Sequence, residues 1–400
     1  MTSKYLVVAD DFTGANDTGV QMKNRGLPVD VILFPKSEKL DSSIVLDTES
    51  RNLSKADAYD KVKRMSKTLI DANQFDLIYK KVDSTLRGNI IEELKALNDV
   101  YKTDKVVFAP AFPVIKRTTE MGTHKLNGVP LMKTEFAEDP LSPIKTDNIT
   151  KMLEEGFNQK VIHHPVNSEI HLNGAKFHTF DAVKESDLVS IASTLLNSSE
   201  RILWVGSAGL ANAIFQTVYP LKPALAVVGS ISENSLKQMK YAEDNGIDVL
   251  QISVEELFDK KNIIPITVQA VELLKSKGKL ILTAAKNRED YNKTLVYAES
   301  LGMSNDDCSW YVQNFLSDVT NSLLKEIELS GLFLTGGATA ISVMDAIKTT
   351  RVSIQDELLT GTVSSTLSDG PYKGLNIVTK AGAFGKNEDL LYCLEKIREM

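Results

Sequence analysis

Three short stretches concentrate acids, cations and hydroxyls: Asp10-Asp11-Phe12-Thr13-Gly14, Asp47-Thr48-Glu49-Ser50-Arg51 and Lys81-Val82-Asp83-Ser84-Thr85-Leu86-Arg87-Gly88. Arginine grips a carboxylate through two parallel N–H donors, lysine adds a point charge, and aspartates accept hydrogen bonds from hydroxyls. That mix suits a small, polyhydroxylated anion. A carboxylate among them, Asp11 or Asp83, is placed to take a proton from a hydroxyl of the ligand. Each stretch also has a plainer reading. Asp10-Asp11 would serve as a helix N-cap with a first-turn acid, Asp83-Ser84-Thr85 would cap a helix opening near Gly88, and Arg51 alone is an ordinary surface charge. Two adjacent carboxylates exceed what a cap requires, so one caps while the other faces the ligand. We favour Asp11 as the base, with Asp83 in a turn that holds the ligand.

The second half carries different chemistry. Gly229-Ser230-Ile231-Ser232, Gly336-Gly337-Ala338-Thr339-Ala340 and Gly382-Ala383-Phe384-Gly385 each follow an apolar run. Glycine lets backbone approach a ligand closely, and the helix N-terminus that follows attracts phosphate. Three such turns point to a nucleotide or phosphate site, although each alone is also common turn chemistry. No G-x-x-x-x-G-K-[ST] occurs and no G-x-G-x-x-G follows a strand, which disfavours a P-loop or a dinucleotide fold. His163, His164, His171 and His178 show neither H-x-x-x-H nor H-E-x-x-H spacing, so structural zinc is disfavoured and no metal ligand is assigned. Ser207 in VGSAGLA fails the G-x-S-x-G pattern of a nucleophile elbow.

The elements that must position these residues alternate strand and helix throughout, which predicts α/β architecture. Strands are expected at 5–9, 29–34, 43–47, 76–81, 105–109 and 201–205, with helices over 54–72 and 89–101. Asn127-Gly128 between extended flanks predicts a hairpin outside the parallel core. Pro220 and Pro223 suit a linker. A second series follows at 224–229, 248–252, 279–284, 331–337 and 375–382, with one long helix over 306–329. The expectation is two α/β domains, residues 1–220 and 224–400, with mainly parallel sheets and a cleft between them. In such sheets ligands bind beyond the carboxyl ends of the strands, where the polar stretches and glycine turns fall.

Composition sets the outer bounds. The 400 residues include 46 basic and 53 acidic side chains, a net charge of −7, and are 42% hydrophobic and 25% charged. This excludes a disordered chain and a small disulfide scaffold, and argues against a general nucleic-acid binder. No run of 18 apolar residues suggests a membrane span. Acids at positions 10 and 11 interrupt any secretion signal. Cys308 and Cys393, far apart, fit unpaired thiols in a reduced, cytoplasmic protein.

In order along the chain, VADDFTGANDTGV (8–20), DTESR (47–51), KKVDSTLRGN (80–89), APAFP (109–113), VGSAGLA (205–211), GSIS (229–232), TGGATA (335–340) and KAGAFG (380–385) resemble the four-carbon acid sugar kinases. The resemblance implies an acid-sugar-binding domain at 1–220 and a nucleotide-binding domain at 224–400. It implies ATP-dependent phosphorylation of a hydroxyl on a C4 aldonate such as threonate, erythronate or a 3-oxo-tetronate. The segment 117–144, especially TEFAEDPLSP, looks like the D-threonate branch, with D-erythronate next. Lys116 departs from the family, whose members commonly have glycine before Arg117. On this reading Asp10, Asp11, Arg51 and Lys81, with Val82, Asp83 and Ser84, hold the acid sugar. Ser230, Gly336, Gly337, Ala338, Thr339, Gly382, Ala383, Phe384 and Gly385 bind ATP, and Mg²⁺ arrives on the nucleotide phosphates. Closure of the domains brings the substrates together. A homodimer is compatible with this reading. A non-catalytic, two-lobed sugar-acid binder or sensor is the alternative, and the missing dinucleotide fingerprint makes a sugar-acid dehydrogenase the weaker rival.

Overall fold

The computed structural model describes residues 3–260 and 262–400. The chain divides into two compact units, Met1–Pro220 and Leu221–Met400.

The first unit is built on an eight-stranded sheet. Its spatial order is Val29–Ile32, Ser43–Asp47, Tyr5–Ala9, Leu77–Lys81, Ile202–Gly206, Lys105–Ala109, Phe177–Phe180 and Val161–His164, with every neighbouring pair parallel. Strands covered on both faces read as continuous apolar runs, and all five residues of Tyr5–Ala9 are buried. Val7, Val45 and Trp204 share one core with Ala15, Met22, Ile191 and Leu210 of the helices Phe12–Lys23, Glu185–Leu195 and Ala208–Val218. Leu6, Ile44 and Leu46 point the other way, toward Val62, Leu69, Leu94 and Leu153 of Lys55–Ala72, Ile90–Tyr101 and Ile149–Phe157. The chain leaves Tyr5–Ala9 toward Ser43–Asp47 on one side and later takes up Leu77–Lys81 on the other. This makes a topological switch point, the place where a parallel sheet opens a crevice.

The expected hairpin forms. Thr123–Leu126 pairs antiparallel with Val129–Pro130 across Asn127 and Gly128, whose φ values of 51° and 81° give the left-handed pair that such a turn requires. A further strand, Arg117–Glu120, completes a three-stranded antiparallel sheet outside the parallel core. Lys116 holds a left-handed φ of 56°, a conformation that glycine adopts without strain. Two core strands were not legible: VIHH (161–164) and FHTF (177–180) are short and rich in histidine. Inside the fold those histidines pair, His164 Nε2 lying 3.0 Å from His178 Nδ1. Burial pushes the His164 ring down to about 4.

The second unit has a seven-stranded sheet in the order Asp248–Gln251, Lys279–Thr283, Ala224–Val228, Gly331–Thr335, Asn376–Lys380, Thr362–Leu367 and Val352–Leu359. The first five are parallel, and the last two form an antiparallel hairpin along one edge that the sequence did not announce. Its own switch point lies between Ala224–Val228 and Gly331–Thr335. The architecture is thus α/β with mainly parallel sheets in two domains.

Candidate active site

The crevice of the first unit collects the loops after Tyr5–Ala9, Ser43–Asp47 and Leu77–Lys81. Backbone bonds bind the first two together: Ser50 N donates to Asp10 O at 3.0 Å and Arg51 N to the same oxygen at 3.2 Å. Beneath them lies a buried ion pair that sequence reasoning missed, Lys80 Nζ to Glu93 at 2.9 Å. Ser50 Oγ donates to Glu93 Oε1 at 2.6 Å, so the helix Ile90–Tyr101 fixes the Arg51 loop from below.

Arg51 is the hub. Nε and Nη2 donate to Asp10 at 2.7 and 3.0 Å, Nη1 pairs with Asp11 at 2.8 Å, and Asp83 stands 3.8 Å from Nη2. Asp83 is gripped by Arg87 through Nε at 2.9 Å and Nη2 at 3.2 Å, and accepts from the Thr85 hydroxyl. Burial alone would raise the Asp83 carboxyl, but Arg87, Arg51 and Thr85 hold it well below the usual carboxylate range. Such a group is a weak base. Asp11 proves to be the N-cap of Phe12–Lys23, its Oδ1 accepting from Gly14 N at 3.0 Å. The expectation that one aspartate caps while Asp11 faces the ligand is therefore corrected. Asp10 is 2% exposed and engaged by the arginine fork, so the single residue Asp11 both caps and borders the crevice.

Lys81 is 5% exposed and makes no side-chain hydrogen bond or ion pair among the described residues. Burial lowers its pKa, while Asp10, Asp83 and Asp11 pull it back up. A Cβ on Gly14 would stand 2.6 Å from Asp11 Oδ1 and 2.9 Å from Lys81 Nζ, so a side chain there would displace the cap carboxylate or the lysine tip where the two converge. Val82 contributes backbone alone, because its side chain belongs to the core and its N–H donates to Gly206 O. Ser84 offers its carbonyl to His124 Nε2 at 2.9 Å, while His124 Nδ1 lies 2.8 Å from Thr119 Oγ1. Burial drives the His124 ring to about 4, so it is neutral at pH 7 and braces the 83–88 turn from the antiparallel excursion. The only sequence signal for this was a histidine inside the hairpin. Ser207, 0% exposed, caps its helix and donates to Ala111 O, a structural role.

The three glycine turns of the second unit also converge. A Cβ on Gly229 would collide with Thr339 Oγ1, and one on Gly382 with Ser230 Oγ. Ser232 caps Glu233–Asp244 and donates to Gly382 O, and Ser235 Oγ donates to the same carbonyl at 3.0 Å. Gly336 takes φ 99°, and the helix Gly337–Ala346 opens with no side-chain cap, leaving its first N–H groups free for an anion. Two of these turns, Gly229–Ser232 and Gly336–Thr339, border a cavity of about 320 Å³ that also touches Ala284, Ala285, Tyr291, Cys308, Ser309 and Gln313, while Gly382 packs behind Ser230. Ala383 and Phe384 present carbonyls to Asn234 and Gln238, and the Phe384 ring stays half exposed. The wall from the helix Asn305–Glu326 was missed, since Ser309 and Gln313 stand in no turn motif.

A family model described as a sugar-binding N-terminal domain matches residues 5–214, and one described as a nucleotide-binding C-terminal domain matches 225–390. Over 99% of both chains, the sequence is 32% identical to a D-threonate kinase of Salmonella typhimurium. The chain belongs to the four-carbon acid sugar kinase family. It is an ATP-dependent acid sugar kinase. It is 24% identical to a D-erythronate kinase of Heliobacterium modesticaldum, covering 98% of this chain and 97% of that one. A Bordetella bronchiseptica crystal structure described as a domain-swapped dimer with bound citrate matches this kinase with a TM-score of 0.64 at 26% identity. The match covers 99% of this chain and 98% of the other. Among the described residues no helix is long and apolar enough to cross a membrane.

Proposed function

We propose that the kinase phosphorylates a hydroxyl of D-threonate, with D-erythronate next in preference, using ATP bound by the second unit. The observation that carries this reading is the buried Lys81 ammonium, unpaired among the described residues, beside Asp11 at the switch point of the first unit. A desolvated cation facing a crevice is a ready partner for a substrate carboxylate. The Arg51 fork is held by Asp10, so Arg51 serves through Nη1 and by fixing Asp11, rather than by clamping the substrate with its full fork. Asp11 takes the hydroxyl proton as the oxygen attacks, and the Asp83-Arg87 pair orders the neighbouring turn. The resemblance of the 117–144 segment to the D-threonate branch supports the subgroup, as does the D-threonate kinase name of the Salmonella relative.

In the second unit Gly336–Thr339, at the uncapped start of its helix, and Gly382–Gly385 with Ser230 receive the nucleotide phosphates. Among the described residues no group of three or more histidines, cysteines, aspartates or glutamates could cage a metal ion. Mg²⁺ fits here as an ion carried by the phosphates, which needs few protein carboxylates, and when bound it neutralises phosphate charge. A homodimer of this chain fits the dimeric state of the Bordetella structure, and light scattering measures it.

The test is ADP release over a panel of C4 and C5 aldonates. D-threonate should give the highest kcat/KM, and a preference for another C4 acid would reassign the substrate. No turnover with any of them would remove the reading.

A further inference from the structure

A second cavity, of about 460 Å³, opens beyond the carboxyl ends of Val29–Ile32 and Ser43–Asp47. Neither Arg51 nor Lys81 borders it. Asp47 lies at its floor, 2% exposed. Its Oδ1 accepts from Glu49 N at 3.0 Å, but its Oδ2 is buried with no hydrogen-bond partner. A buried carboxylate oxygen left unpaired is costly, and ordinary proteins satisfy such atoms. The mouth carries two cations from the helix Lys55–Ala72. Among the described residues Lys61 Nζ reaches only the Glu49 carbonyl, at 3.4 Å, and the exposed Arg64 guanidinium has no partner. The rim is apolar and unusually open to solvent, with Phe34 85%, Phe12 49% and Leu33 41% exposed. An acceptor at the floor, cations at the mouth and an apolar rim match one kind of molecule.

We propose that this cavity is a second ligand site of the first unit. It would take a small carboxylate that bears a hydroxyl or ammonium donor beside an apolar group. The donor pairs with Asp47 Oδ2, the carboxylate with Lys61 and Arg64, and the apolar part covers Phe12, Leu33, Phe34 and Met65. Thr48 and Glu49 on its wall run directly into Ser50 and Arg51, and Glu49 Oε1 accepts from Phe12 N at 2.9 Å. An occupant therefore touches two of the three loops that carry the first site.

The test is calorimetric titration of 3-phenyllactate, and separately of phenylalanine, into the full chain with and without saturating D-threonate. At least one probe should bind at one equivalent in both conditions. Asp47→Asn must keep an acceptor toward Glu49 N, and so turns an N–H donor toward the ligand. It should weaken that probe at least tenfold. Arg64→Glu, at an exposed position that leaves the fold intact, should do the same and decides the matter if the Asp47 variant does not fold. Absence of binding by both probes, wild-type affinity in the Arg64 variant, or competition between probe and D-threonate would overturn the proposal. Failure of D-threonate itself to bind would count against the substrate assignment and leave this titration readable.

Discussion

Arg51 and Asp10 form a bidentate pair, Nε to Oδ2 at 2.7 Å and Nη2 to Oδ1 at 3.0 Å, with Asp10 2% exposed. The guanidinium thereby reaches Asp11 with its remaining nitrogen and ties the first two loops into one rigid edge. Lysine keeps the charge but cannot span two carboxylates in a plane. Arg51→Lys should raise KM for the acid sugar at least tenfold and leave KM for ATP within about twofold. Steady-state kinetics with each substrate varied checks this. An unchanged acid-sugar KM would reduce the pair to scaffolding.

Lys81 gives a complementary prediction. Lys81→Met keeps the length of the side chain and removes a desolvated charge that lacks an ion pair among the described residues. Acid-sugar affinity should fall by more than about tenfold, the scale of one charged hydrogen bond, while Tm does not fall. Binding calorimetry and thermal unfolding on one preparation separate the two effects.

The choice between Asp11 and Asp83 is a choice of proton acceptor. Arg87 and Arg51 hold Asp83 ionised, whereas Asp11 faces the crevice with 24% of its side chain exposed. Asp11→Asn should lower kcat by roughly 10²–10⁴ with nearly normal affinity. Asp83→Asn should chiefly weaken acid-sugar binding by loosening the 83–88 turn. Collapsed turnover with normal affinity in the Asp83 variant, beside an active Asp11 variant, would reverse the roles.

His124 makes stability depend on pH. Its folded pKa of about 4 lies below the ordinary 6.5, so the unfolded chain binds the proton more tightly. The contribution is present above pH 6.5 and is lost as pH falls toward 4. Its full size is on the order of 3 kcal/mol. His124→Gln should flatten the fall in Tm between pH 6.5 and 4, which scanning calorimetry at several pH values will show. His164, also near 4, adds a slope in the same direction that the variant retains.

Gly337→Val tests the nucleotide site. A Cβ there meets nothing within 4 Å, so the fold should accept the change while the valine obstructs the helix N-terminus. ADP affinity should drop at least tenfold by calorimetry, and an unchanged value would place the phosphates elsewhere.

The alternation of β-branched runs with amphipathic stretches determined, without coordinates, that the chain is α/β and which residues end its strands. Strand periodicity and turn chemistry are local, so Tyr5–Ala9, the Asn127-Gly128 turn and the glycine turns were all legible. The strands Val161–His164 and Phe177–Phe180 were not, because their histidines find their partners only across the sheet and in adjoining loops: His164 with His178, His163 with Thr179, and His178 with the Ala175 carbonyl. The same limit applied to the site. Its residue types could be named from spacing, but not their pairings: Asp10 to the Arg51 fork, Asp11 to the cap, Asp83 to Arg87, His124 to the Ser84 carbonyl. Each joins residues from loops or strands apart in sequence or competing for one partner. Strand order and burial decide which of several chemically equal partners comes within 3 Å, and a pattern read along one chain carries no such distance.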